Sequence, residues 1–350
     1  MSYSPFDLND RTIQVIQRQY ATSNEPWLLG YSGGKDSSAL LKLVFLSMLH
    51  LASCPKKLTV VYCDTGVEIP VVRDLAVHTL ESLRLEADRV GIPLEIVYAT
   101  PRPEERFFVK VIGRGYPPPT NKFRWCTDKL RIDPVNRAMT SAGGDHALVL
   151  LGIRRGESVN RDRTIRRHGT ESEYLFRHSG RNSSLIFSPI VNYTPEDVWN
   201  TLMFNLLPRS IEFDPLWNLY EQASGECPII RDPKGPPCAK GRFGCWTCTV
   251  VRRDRAIHGL TSVGYPQLLP LLRFRDWLAE IRDRADYRCG RRRNGMVGRG
   301  PFRLGARREI LRRLLNAQCE SGFPLISTAE LGAIERLWSL DGESAAYVED

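Results

Sequence analysis

The protein has 350 residues, 42% hydrophobic and 25% charged, the balance of one large globular domain or two ordinary ones around a buried core. No window reaches the apolar length of a membrane span, and the first twenty residues, MSYSPFDLNDRTIQVIQRQY, lack the basic, apolar and small-residue regions of a signal peptide, so a cytoplasmic protein with no membrane partner is expected. The net charge of +9 is uneven: residues 251–315 hold seventeen Arg, no Lys and six acids, a local +11 that favours a polyanionic partner over a solvated, salt-bridged helix face.

In chain order, an amphipathic helix carrying Ile13, Val15 and Ile16 is predicted first. Short apolar runs then alternate with helix-length stretches: WLLGY and 37–50, LTVVYCD and 70–90, LEIVYAT, and ALVLLGI. That alternation predicts an α/β fold, a parallel sheet with helices on both faces. SPIVNYTPEDVWNTL, 188–202, contains a helix start, with Thr194 as N-cap, Pro195 at the first helical position and acids in the first turn. From about 210 the character changes to a Gly/Pro-rich cysteine segment followed by helical patterns at 266–287, 306–316 and 328–339, the last opened by the capping-box sequence Ser327-Thr328-Ala329-Glu330. The expected division is therefore a first domain over 1–210 and a smaller, basic, α-helical cysteine-cluster region over 211–350.

YSGGKDSS, 31–38, lies where the chain passes from the strand WLLGY into a helix. Glycines let backbone amides approach an anion, and the helix N-terminus adds unpaired donors and positive potential. Ser32 and Ser37 can add hydroxyls, Lys35 a charge against phosphate oxygens, and Asp36 a route to Mg²⁺. The spacing is not that of a Walker A loop, which argues against γ-phosphate transfer.

SGGKDS after an N-terminal strand resembles the PP-loop of the ATP pyrophosphatases, with the adenine nucleotide α-hydrolase-like fold. The resemblance implies that Ser32, Gly33, Gly34, Lys35, Asp36 and Ser37 bind the pyrophosphate of ATP while an acceptor oxygen attacks the α-phosphorus. YCDTGVEIP, 62–70, is similar to that family's second-strand motif and adds Asp64, Thr65 and Gly66 to the expected ATP site. GIRRGESVNRDR, 152–163, resembles a segment of the PAPS reductase-like branch, carried here by Gly152, Arg154, Glu157, Ser158 and Arg161. Lys35, Asp36, Arg154 and Glu157 are thereby the expected catalytic residues, and the likeness spans roughly residues 25–205.

Nine cysteines are too sparse for a secreted disulfide scaffold, and clustered thiols in a reducing compartment bind metal or react. Cys227, Cys238, Cys245 and Cys248 are spaced C-x10-C-x6-C-x2-C, and four such thiolates can hold either zinc or an iron–sulfur cluster. A PAPS reductase-like domain followed by this spacing resembles the DNA phosphorothioation sulfurtransferases, the DndC/SspD group, which implies a [4Fe–4S] cluster on these four residues. Cys126, in TNKFRWCTDKLRIDP, is flanked by Lys122, Arg124, Lys129 and Arg131, cations that would lower its pKa. It is read as a persulfide carrier or reactive thiol, or else as a pocket-lining residue; the segment resembles a stretch of the same branch, with Arg131 near where lysine is common. Cys54, Cys63, Cys289 and Cys319 look isolated, and the six histidines show no metal-ligand spacing.

The function implied is an ATP-dependent sulfurtransferase. ATP·Mg²⁺ binds the loop, a non-bridging oxygen of a DNA phosphate is adenylylated with loss of pyrophosphate, and persulfide sulfur from a cysteine desulfurase displaces AMP. Other phosphorothioation proteins would be partners, and Arg291, Arg292 and Arg293 would hold the DNA backbone. Two enzymatic rivals share the loop: a tRNA thiolase, which would call for RNA-binding modules, and a sulfonucleotide reductase. Reductases carry an E-C-G-x-H tail where this sequence reads ESAAYVED, with only RCGRRR at 288–293, so reduction is not expected. A non-enzymatic nucleic-acid binder with a structural zinc knot would instead tolerate loss of Lys35.

Overall fold

The computed structural model describes residues 5–51, 53, 56–143, 146–157, 159–177, 184–224 and 243–343. Its chain forms two compact units, one of Met1–Cys63, Val71–Ala99 and Val135–Arg242, the other of Asp64–Pro70, Thr100–Pro134 and Phe243–Asp350. Residues 64–70 and 100–134 leave the sheet-forming run, because FFVKVI at 107–112 carries an apolar surface that is buried with the C-terminal helices.

The first unit is built on α1 (Pro5–Thr22), β1 (Trp27–Tyr31), α2 (Lys35–Leu49), β2 (Leu58–Cys63), α3 (Pro70–Val90) and β3 (Leu94–Ala99). After α4 (Trp125–Thr127), which belongs to the second unit, it continues with α5 (Asp133–Ala142), β4 (Leu148–Leu150), α6 (Val159–His168), β5 (Leu175–Arg177), β6 (Leu185–Phe187), α7 (Pro195–Phe204) and α8 (Phe213–Ser224). The six strands form one sheet in the order β3-β2-β1-β4-β6-β5, parallel throughout except for β5 against β6. The expected α/β architecture is present. Strands β5 and β6, three residues each, were too short to stand out in the sequence.

Alternation along the strands assigns the two faces. Trp27, Leu29, Val60, Tyr62, Leu148 and Leu150 share a core with α2, α3 and α7, whereas Leu28, Val61 and Val149 meet Val135, Ala138 and Met139 of α5. Thr194 caps α7 in a full capping box with Asp197, as its sequence predicts. The strand order reverses direction between β1 and β4, the switch point outside whose carboxyl ends open α/β sheets bind ligands.

The second unit contains α9 (Arg255–Val263), α10 (Leu269–Ile281), α11 (Leu304–Ser321) and α12 (Thr328–Glu343) with the 103–132 segment. Ser327 caps α12, exchanging bonds with Glu330 as expected. Three arginines of the basic stretch are buried and staple this unit through backbone carbonyls: Arg275 to Cys248, Val251 and Arg252, Arg288 to Arg282 and Gly300, Arg307 to Gly113. Among the described residues no helix is long and apolar enough to cross a membrane.

Candidate functional site

Ser32–Ser37 forms the turn from β1 into α2, at the switch point. Gly33 makes that turn possible: its φ of +71° is in the left-handed region, and a Cβ there would lie 2.8 Å from the Ala76 Cβ. Gly34 is the N-cap of α2 without a side-chain cap, and the amides of Gly33 and Gly34 meet no backbone or side-chain acceptor among the described residues. The Ser37 hydroxyl donates to the Gly34 carbonyl at 2.9 Å and lies 3.1 Å from the Ser32 hydroxyl, which holds both oxygens at the loop. The result is a cradle of amide and hydroxyl donors at a helix N-terminus, suited to phosphate.

Lys35 and Arg154 converge on Asp36. The Lys35 ammonium is 3.0 Å from both carboxylate oxygens, and Arg154 Nε donates to Asp36 Oδ1 at 2.5 Å while its Nη1 donates to the Tyr193 carbonyl at 3.2 Å. Burial alone would raise the Asp36 pKa; the two cations outweigh it and hold the carboxyl below its ordinary value, hence ionised. Arg154 follows β4 two positions after Gly152, whose absent Cβ allows this segment to rest on the first turn of α2: a Cβ would fall 2.7 Å from the Asp36 carbonyl oxygen. Glu157 follows in a half-buried bend; Ser158 and the Arg161 side chain lie outside the described residues.

Sequence reasoning missed Tyr220. Its buried hydroxyl accepts the Lys35 amide at 3.2 Å, and burial, with the Asp36 charge adding to it, raises its pKa. The signal is present in α8, where Phe213, Trp217 and Tyr220 recur at helical spacing and pack edge-on against Trp199, but the change of sequence character at about 210 groups this segment with the second domain.

In the second unit, Cys245 and Cys248 sit on a tight turn closed by Cys248 N donating to the Cys245 carbonyl at 3.0 Å. Trp246 between them is buried against Phe108 and Phe274, and its amide donates to the Val67 carbonyl at 2.9 Å. Thr65, one of the residues expected at the nucleotide site, gives its hydroxyl to Glu68 at 2.5 Å and lies 3.8 Å from Cys245 Sγ; Asp64 accepts the Gly66 amide at 2.9 Å. Arg131 donates to Cys245 Sγ at 3.5 Å, yet burial pushes that thiol up to about 11.

The pKa expectation for Cys126 is overturned. Burial, then the neighbouring Cys248, raises the thiol above its ordinary value and outweighs the lowering by Arg131, while Lys129 pairs with Asp133 and Glu105 and Arg124 with Asn121. Cys126 is nonetheless brought near Cys248, and Arg131 acts on both Cys126 and Cys245. Cys227 and Cys238 lie outside the described residues, as does Cys54. Among those described, no group of three or more His, Cys, Asp or Glu is placed to hold a metal ion. The described half of the four-cysteine set has donor chemistry that fits an iron–sulfur cluster, two soft thiols presented from one tight turn.

Residues 26–251 match the family described as the phosphoadenosine phosphosulfate reductase domain. A relative, uncharacterized protein MJ0066 of Methanocaldococcus jannaschii, is 26% identical over 196 residues, which are 56% of this chain; the match spans only 35% of that protein's length. Among solved structures, the Candida glabrata FMN adenylyltransferase with FAD and inorganic pyrophosphate aligns at TM-score 0.39 and 12% identity, over 68% of this chain and 72% of that one. The U34-tRNA thiolase NcsA of Methanococcus maripaludis with its [4Fe–4S] cluster gives 0.38 and 13%, over 80% and 82%. The NMN synthetase of Francisella tularensis gives 0.36 and 12%, over 81% and 97%. At these scores the three structures carry no weight for the chemistry. The family match, covering well over half of the chain, and the strand order with its loop at the switch point lead to one conclusion: the chain belongs to the phosphoadenosine phosphosulfate reductase domain family of the PP-loop ATP pyrophosphatases.

Proposed function

We propose that the protein is an ATP-dependent sulfurtransferase that adenylylates a phosphate of the DNA backbone and so allows a non-bridging oxygen to be replaced by sulfur. The observation that supports ATP activation is the loop constellation: open Gly33 and Gly34 amides, the Ser32 and Ser37 hydroxyls, and Lys35 and Arg154 on an ionised Asp36. In this reading the amides and Lys35 bind the leaving pyrophosphate, Arg154 keeps Asp36 oriented, and Asp36 offers an oxygen to Mg²⁺.

A phosphate oxygen leaves poorly until it forms part of AMP. The acceptor oxygen therefore attacks the α-phosphorus, the α–β bond breaks, and pyrophosphate departs. Sulfur from a carrier persulfide then attacks the DNA phosphorus with AMP as leaving group, and a second thiol breaks the S–S bond, leaving a disulfide for a cellular dithiol to reduce. Cys126 is the proposed carrier thiol. Cys245 and Cys248, with Cys227 and Cys238, would hold a [4Fe–4S] cluster, which when bound would supply a one-electron redox centre. A cysteine desulfurase and other phosphorothioation proteins are the proposed partners.

The test is mass spectrometry of nuclease-digested DNA and RNA from cells with and without the gene. Loss of phosphorothioate dinucleotides from DNA alone is expected. Loss of a thiolated RNA base with DNA unchanged would transfer the site to a tRNA-thiolating role and end the DNA reading.

A further inference from the structure

Residues 289–301 form a two-stranded ribbon in the second unit. Cys289 N donates to the Pro301 carbonyl at 2.9 Å, Gly300 N to Cys289 at 2.8 Å and Gly298 N to Gly290 at 2.9 Å, with Arg291 and Val297 paired antiparallel. The tip is closed by Arg292 N to the Met296 carbonyl at 2.8 Å and Gly295 N to Arg292 at 2.9 Å, Gly295 having a φ of +81°. The base is rigid, since buried Arg288 binds the Gly300 carbonyl at 2.6 Å and Arg293 lies over the Tyr116 ring while bonding the Arg114 carbonyl.

What this ribbon presents is unusual for a connecting loop. It contains four arginines and no acid. Arg293 and Arg299 are tethered, the latter to Asp283, whereas the exposed Arg291 and Arg292 side chains make no hydrogen bond or ion pair among the described residues. Between these cations stand Met296 at 58% and Val297 at 80% exposure, adjacent apolar side chains left in water at the tip.

We infer that this ribbon is a nucleic-acid arm: Arg291 and Arg292 bind phosphates on either side of a minor groove, and Met296 and Val297 press into it against sugars and base edges. Guanidinium groups match phosphate in planar, bidentate fashion, and the narrow groove concentrates negative potential that draws arginine. Two-stranded ribbons enter DNA grooves, and apolar wedges between cations are how minor-groove proteins open a base step. A bilayer is the poorer fit, because two side chains on a turn bury too little apolar surface for membrane anchoring. The inference deepens the proposed function and rests on its nucleic-acid substrate.

The experiment uses the full chain and a fluorescein-labelled duplex carrying 2-aminopurine, titrated over a range of salt concentrations. Arg291→Ala/Arg292→Ala is expected to weaken binding on every sequence and reduce the log–log salt slope by about two, while Arg291→Lys/Arg292→Lys keeps the slope. Met296→Gly/Val297→Gly is expected to weaken binding about tenfold at an unchanged slope and abolish the 2-aminopurine fluorescence rise. Wild-type affinity and slope in the alanine variant, or loss of binding to phosphatidylserine vesicles with DNA binding intact, would overturn the arm. DNA-stimulated pyrophosphate release separates the two ideas. If the arm variants bind normally while wild type still shows stimulation, the arm fails and the function stands; if the arm binds DNA without stimulation, the function fails and the arm stands.

Discussion

Replacing Arg154 with Met keeps the length of its stem and deletes its charge. In the wild type Arg154 is 4% exposed, and its guanidinium bridges Asp36, at 2.5 Å, to the Tyr193 carbonyl, at 3.2 Å. Breaking a fully buried ion pair costs about 3–5 kcal/mol. Asp36 retains 21% side-chain exposure and keeps Lys35 at 3.0 Å, so its share falls to about 1–2 kcal/mol. The carbonyl left without this donor adds about 1 kcal/mol, for a total of about 2–3 kcal/mol. A urea titration should show a lower midpoint with unchanged m. The pH dependence provides a second signature. A carboxyl held below its ordinary pKa in the folded state contributes stability that is complete above the unfolded value, near 4, and is lost as pH falls through the folded value. With Arg154 gone that folded value rises, so acid should cost the variant less than it costs the wild type. Wild-type urea midpoints and the same acid-induced loss in Arg154→Met would refute the reasoning.

Lys42 of α2 is buried, donates to the Leu202 and Ile211 carbonyls, and has its pKa lowered by burial to about 8 against a partial opposing effect of Glu86. The unfolded chain then holds more protons between pH 8 and 10.5, so unfolding free energy should rise with pH across that window, by at most about 3 kcal/mol, and Lys42→Met should flatten the slope. Gly152→Ala should be destabilised by about 1–3 kcal/mol, because its Cβ meets backbone atoms of Asp36 and Ser37 that cannot swing aside; thermal unfolding measures this. Lys35→Ala should lose pyrophosphate release by about 100-fold or more while thermal unfolding changes little; equal turnover would point to the non-catalytic reading. Cys245→Ser/Cys248→Ser should lose bound iron and its visible absorbance, and retention of both would remove these residues from the ligand set.

The strands at 27–31, 58–63 and 94–99, the phosphate loop and the caps at Thr194 and Ser327 were legible from sequence because their causes are local. A run of apolar residues buries both faces of a strand, glycine permits a positive φ, and a hydroxyl caps the third amide beyond it. Cys245 and Cys248 were legible as a pair for the same reason, with two residues between them on one turn. What needed the tertiary structure was every fact that depends on distant chain segments meeting. Tyr220 reaches the Lys35 amide across 185 residues, and Thr65 and Arg131 meet Cys245 across 180 and 114. Burial reversed the expected shift of Cys126, since desolvation depends on what packs around a thiol and not on which cations neighbour it in sequence. The arginine excess likewise divided only on folding: Arg275, Arg288 and Arg307 turned inward to backbone carbonyls, while Arg291 and Arg292 remained in solvent. Composition counts charges, but packing decides which of them are already satisfied.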